Sequence, residues 1–436
     1  MTDIKCTMNN DRITIYKYDT DKFKSENVSV YFLLPACKEK SVVRSLLLSV
    51  LKRGTEKYPS QKLINERLDE LYATLVNLKN QKFDDVQLLG VSADTIYSSY
   101  TDEGGDLFPL ALEIVSQMLF HPAIDKKTGM FFEEYLESEK ENYKSIILSQ
   151  INEPRTYAAI RCREEMFSAL GIIDKLDTMC DMIDNTTMKD VYECYREIIE
   201  NAKILVFYVG NRSDEDIEKH INSIFLRENG IALINNDRPI KKLSPISEPN
   251  IVTDDLDISQ SRLVIGFDCQ TTWKDDDYYA MLLCNEILGS SPISKLYTNV
   301  REKLSLCYEC SSVYNSARGA IFVATGIDRE NYVLAKSAII SQVEDIKCGR
   351  ITEAELVAAK KSIYNVYSTV EDSQGAIERF YLGRIMNGID IDISEFLDKM
   401  DKLTIDDVIA AANRMNLHTV YFLRGDECGE EGSLYE

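Results

Sequence analysis

Histidine is nearly missing from this chain, with three residues in 436. They are His121, His220 and His418, scattered singly, so no local pair of imidazoles exists to hold a transition metal. Basic charge is also short: 50 Lys and Arg stand against 72 Asp and Glu, a net charge of -22. Nucleic acid and anionic membrane surfaces would repel such a chain, which argues against both as partners and suits a basic peptide or protein. Much of the charge sits in runs such as Glu133-Glu134 and Glu137 to Glu141, expected to be solvated helix faces. Long apolar runs are missing as well. No signal peptide or membrane span is expected, and a cytoplasmic location follows. The eleven cysteines are odd in number and scattered, which suits reduced, buried thiols better than a disulfide framework. Cys307 and Cys310 are the only close pair, and without a second pair they read as structural.

What is present is globular composition, 44% hydrophobic and 28% charged, enough to build packed cores. A length of 436 residues exceeds one ordinary core and suits two domains. Turn-forming residues gather at Asn229 to Pro249, so the expected domains are 1–230 and 250–436, with a linker between. Val28 to Leu34 is apolar almost throughout, the pattern of a central strand covered on both faces. Val42, Val43, Leu46, Leu47, Val50 and Leu51 form the stripe of a helix over Lys38–Arg53, and Gly54 ends it. The pairs Gly54 and Gly289, Leu71 and Leu306, Gly90 and Gly326, Asp94 and Asp328 recur at a near-constant offset of about 235 residues. That spacing indicates a tandem duplication. The expected fold class is α+β, with two similar halves, each a largely antiparallel sheet with helices packed mainly on one face.

The most informative stretch is Asn285 to Asp328. A helix ends at Gly289, and Ser290 to Ser294 is turn chemistry. Leu296, Val300 and Leu304 then recur at helical spacing. After that the period becomes two, placing Leu306, Tyr308, Cys310 and Ser312 on one face of a strand. The run Gly289 to Lys295 lacks the second glycine of a phosphate loop and follows a helix, so it is not one. Leu288-Gly289, Ser294-Lys295-Leu296, Arg301-Glu302-Lys303 and Leu306-Cys307-Tyr308 resemble the second half of the pitrilysin/insulinase-like zinc metallopeptidases. The resemblance implies two halves in a clam-shell arrangement and makes Arg301 and Tyr308 substrate-binding residues of a peptide chamber. By residue type alone, Arg301 is a solvated helix side chain and Tyr308 a packed strand residue.

Active members of that family carry His-x-x-Glu-His on the first helix, a few residues before Gly-Thr. Two imidazoles one turn apart bind zinc, and the Glu between them is the general base. Counted back from Gly54-Thr55, the positions here are Ser45-Leu46-Leu47-Leu48-Ser49. Neutral hydroxyls do not replace imidazoles in a tight zinc site, and Leu48 moves no proton. The third ligand of the family falls on Gln150, at the end of Ile146-Ile147-Leu148-Ser149-Gln150. The chain is therefore expected to bind no metal, to need no cofactor and to have no catalytic residue of its own. It resembles the zinc-free bacterial members, which accompany a zinc-bearing relative. The resemblance implies a non-catalytic subunit in a heterodimer with a zinc-bearing peptidase homologue, acting on a peptide or small protein. The alternative is a stand-alone binding scaffold of the peptidase fold. Similar proteins are linked to elongation factor P modification, an association carried by analogy alone.

Overall fold

The computed structural model describes residues 4–83, 86–102, 105–171, 175–225, 242–389 and 391–425. The expected linker lies outside the described residues as far as position 241. The chain forms two compact units, and each draws on several separate stretches of sequence.

The first unit comprises 1–146, 178–238 and 370–392. Its strands are β1 (Ile4–Asn9), β2 (Ile13–Asp19), β3 (Ser25–Pro35), β4 (Leu75–Phe83), β5 (Val86–Ile96) and β6 (Lys203–Gly210), in the order β1-β2-β6-β3-β5-β4. β2 and β6 run parallel and the other pairs antiparallel. β3 lies between β6 and β5, and its apolar run from Val28 to Phe32 is buried, as expected for a strand covered twice. Adjacent residues of a strand point to opposite faces. Phe32 meets Phe120 of the helix Phe108–Phe120 edge-on. Tyr31 instead donates to Glu378 of the helix Gln374–Asn387 at 2.9 Å, so that helix covers the second face.

The second unit comprises 147–177, 239–369 and 393–436. Its strands are β7 (Asn250–Asp255), β8 (Ser261–Asp268), β9 (Cys307–Asn315), β10 (Ala320–Ile327) and β11 (Asn416–Arg424), in the order β7-β11-β8-β10-β9. β7 and β11 are parallel and the rest antiparallel. This repeats the order and directions of β2-β6-β3-β5-β4, which supports the duplication. Phe422 packs on Tyr332 of the helix Tyr332–Lys347. Tyr421, on the opposite face, joins a core with Ala158, Cys162, Met166 and Phe167 of the helix Pro154–Phe167. The spacing of Ala158, Cys162 and Met166 makes one helical stripe, and the sheet supplies Val264, Ala320, Phe322 and Leu423 against it.

Both sheets are thus covered on two faces, and the second cover is lent by the other half of the sequence. A helix from the first half serves the second sheet, and one from the second half serves the first. Glu353–Ser368 and Gln374–Asn387 are accordingly separate helices, with the passage between units at Thr369–Val370. The acidic runs at Glu133-Glu134 and Glu137 to Glu141 lie, as expected, on a helix, Glu133–Ile151. β1 and β7 carry no strong period-two pattern and are edge strands that sequence reading did not find. Among the described residues no helix is long and apolar enough to cross a membrane.

Candidate functional site

The helix Ser41–Leu51 forms where expected, and Ser45, Leu48 and Ser49 share one of its faces by spacing. None is a metal donor in practice. The Ser45 hydroxyl donates to the Ser41 carbonyl at 3.0 Å, and the Ser49 hydroxyl to the Ser45 carbonyl at 3.4 Å. Leu48 is 3% exposed and packs as hydrocarbon. A relay of hydrogen bonds occupies this region. Buried Arg44 donates to the Gln87 side-chain oxygen at 2.7 Å, the Gln87 amide to Asn80 at 2.8 Å, and the Asn80 amide to the Ser45 hydroxyl at 3.2 Å. A guanidinium one residue from Ser45 also opposes a dication. These residues do not fit zinc. Gln150 lies in the last turn of Glu133–Ile151, within the second unit. Asp106, Asp216 and His220 are the one described group with metal-like spacing. There the Arg212 guanidinium already bonds Asp106 at 3.0 Å and Asp216 at 2.8 Å, supplying the cation itself.

The second candidate region lies between Tyr278 and Ile327. The helix Tyr278–Asn285 continues into a wider turn at Glu286–Ser290, where the Ser291 N–H donates back to the Glu286 carbonyl at 3.3 Å. Gly289 is therefore not the left-handed helix stop expected of it. It sits inside this turn, where a side chain would meet the Ser312 nitrogen at 2.8 Å. Leu296–Lys303 is likewise wound as a π-helix, a form concentrated at functional positions. Ser305, with φ of 51°, reverses the chain into β9, and its N–H donates to the Arg301 carbonyl at 3.1 Å.

Arg301 lies over the Tyr297 ring at 4.5 Å from its centroid, and its Nε stands 3.7 Å from Glu302. Among the described residues no hydrogen bond occupies its two terminal nitrogens. Tyr308 is 86% exposed. It does not share a face with Leu306, which is buried, so the period-two reading fails at this point. The register explains why. Cys307 pairs with Ile327 and Cys310 with Thr325, so Tyr308 and Glu309 together oppose Gly326. That extra residue is a β-bulge, which re-aims the side chains on it. The bulge is held in place: Glu309 takes an ion pair from Arg155 at 2.9 Å and faces Arg262 at 3.7 Å, and its carbonyl accepts from the Thr325 hydroxyl at 2.7 Å. β9 is the outer strand of its sheet, so one row of its backbone groups has no neighbouring strand. The sequence signal for the bulge, a glycine opposite Tyr308-Glu309, is legible only once the pairing is known.

A duplicated α+β fold, a first helix with Ser45, Leu48 and Ser49 along one face, and an exposed tyrosine on an edge strand of the second sheet are brought together in this chain. Residues 185–363 match the peptidase M16 inactive domain. Along 95% of its length the chain is 28% identical to the probable inactive metalloprotease YmfF of Bacillus subtilis (strain 168), covering 96% of that protein. Among solved structures it is similar in fold to a conserved protein from Enterococcus faecalis V583, with a TM-score of 0.86 at 24% identity, covering 95% of this chain and 96% of that one. It is also similar to a peptidase M16 inactive domain from Pseudomonas fluorescens, with a TM-score of 0.76 at 16% identity, covering 97% and 98%. The chain thus resembles inactive members of the M16 peptidase family.

Proposed function

We propose that this chain is the non-catalytic subunit of a heteromeric zinc metallopeptidase of the cytoplasm, contributing a peptide-binding surface built on Arg301 and Tyr308 to a zinc-bearing homologue. The observation that carries the reading is the bulge at Tyr308-Glu309. It turns a large phenol into solvent, against the usual burial of aromatic side chains, and two arginines hold it there. The edge of β9 suits an extended peptide added as a further strand. Arg301 presents its terminal nitrogens to a peptide carbonyl or carboxylate, and the Tyr308 hydroxyl donates to the oxyanion developing at the scissile carbonyl. The chain's acidic surface favours basic peptides.

The test is reconstitution with a His-x-x-Glu-His homologue from the same genome. The mixture should hydrolyse peptides that this chain alone leaves intact. Arg301→Ala should slow the mixture by about 30- to 1000-fold, the loss of one contact made mainly in the transition state, about 2–4 kcal/mol. Tyr308→Phe should cost less, since only a hydroxyl is removed. Far-ultraviolet spectra and melting should be unchanged for both. An Arg301→Ala mixture as fast as wild type would reject the complementing role and leave the scaffold.

A further inference from the structure

Cysteines three positions apart in a regular strand point to opposite faces. Cys307 and Cys310 do not. The residue added at the bulge brings both to one side, opposite Ile327 and Thr325, which are two apart on β10. Cys307 is half-buried and reachable, whereas Cys310 is buried. We infer that Cys307 and Cys310 are a redox-active thiol pair, oxidised by hydrogen peroxide to a reversible disulfide that brackets Tyr308 and Glu309.

Two observations divide the roles. The neighbouring Cys310 thiol, with the Arg301 charge, lowers the Cys307 pKa to about 7, against the opposing effect of burial. The adjacent Cys307 sulfur, with burial, pushes the Cys310 thiol up, so it keeps its proton. Cys307 is the attacking thiolate and Cys310 the resolving thiol. In the first step the Cys307 thiolate attacks one peroxide oxygen. The O–O bond breaks, hydroxide leaves and is protonated to water, and Cys307 becomes a sulfenic acid. In the second step the Cys310 sulfur attacks the Cys307 sulfur. The S–O bond breaks, and the hydroxyl leaves with the Cys310 proton as water. Two thiols are oxidised and one peroxide is reduced to two waters. In a reducing compartment such a bond is transient, as a sensor requires.

The experiment uses the full chain and needs neither partner nor substrate, so its failure would leave the proposed function standing. Alkylation with iodoacetamide at pH 7, read by peptide mapping, compares Cys307 with the exposed Cys348. A pKa near 7 gives about 15-fold more thiolate than an ordinary cysteine, while the lower basicity costs about fivefold in nucleophilicity. Cys307 should therefore react about threefold faster. Peroxide at slight excess should give a Cys307–Cys310 disulfide that dithiothreitol reverses. In Cys310→Ser a dimedone adduct should accumulate on Cys307, and in Cys307→Ser Cys310 should stay reduced. Cys307 alkylating no faster than Cys348 in the wild-type chain, or peroxide oxidising Cys348 while the pair stays reduced, would overturn the inference.

Discussion

Gly90 of β5 and Gly326 of β10 meet different surroundings. A Cβ on Gly90 would lie 2.0 Å from the Val30 carbonyl oxygen, in the backbone of the central strand. A Cβ on Gly326 would first meet the Arg262 Nη1 at 2.4 Å and the Gln260 Oε1 at 2.7 Å, both ends of flexible side chains. Backbone in a paired strand cannot yield without breaking its ladder, whereas a long side chain can swing. Gly90→Ala should therefore destabilise at the upper end of the about 1–3 kcal/mol typical of overpacking, and Gly326→Ala by less than about 1 kcal/mol. Urea denaturation of the two variants checks the order. Equal losses would mean that the strands adjust around Gly90.

At the scale of elements, helix starts illustrate how little chain is needed to fix local structure. Thr187 with Asp190, Thr352 with Glu355 and Thr404 with Asp407 each form a reciprocal cap. The Thr404 hydroxyl accepts from the Asp407 N–H, and the Asp407 carboxylate takes the Thr404 N–H at 2.8 Å. Thr404→Ala should cost about 1 kcal/mol at neutral pH. The Thr187 and Thr404 hydroxyls, donating to them, hold the Asp190 and Asp407 carboxyls below the usual range. Because these folded values lie below the unfolded one, about 3.9, the stability they contribute is present above that pH and lost as pH falls through the folded values. Melting curves of Thr404→Ala and wild type should therefore be furthest apart above pH ~4 and converge in stronger acid. A gap that is constant down to low pH would show that the carboxylate half of the cap contributes nothing.

For the whole molecule, the exchange of helices decides what can fold. The helix Gln374–Asn387 places Glu378, 2% exposed, against Tyr31 and Lys79, with the Lys79 ammonium 3.0 Å from its carboxylate. Without that helix the first sheet exposes an apolar face and these polar groups lose their partner. Fragment 1–230 made alone should therefore show no cooperative melt, and 231–436 should likewise fail without Pro154–Phe167 to cover Phe322 and Tyr421. Produced together, the two fragments should co-purify and melt cooperatively. A cooperative melt of 1–230 by itself would show that the lent helix is dispensable.

Local pattern was enough for much of this protein. The apolar run of β3, the stripe on Ser41–Leu51 and the offset of about 235 residues carry the two sheets and their duplication, because burial periodicity and loop chemistry are short-range properties. The missing metal donors at Ser45 and Ser49 were legible for the same reason: a helical ligand motif lies within one turn of chain. The face of Tyr308 was not. Period two holds only while pairing is regular, and the bulge depends on Gly326, Arg155 and Arg262, which are brought to β9 by other elements. Nor was the destination of Pro154–Phe167 and Gln374–Asn387. An apolar stripe states that a helix must be buried, but which sheet buries it depends on contacts between residues far apart in sequence, and those exist only in the folded chain.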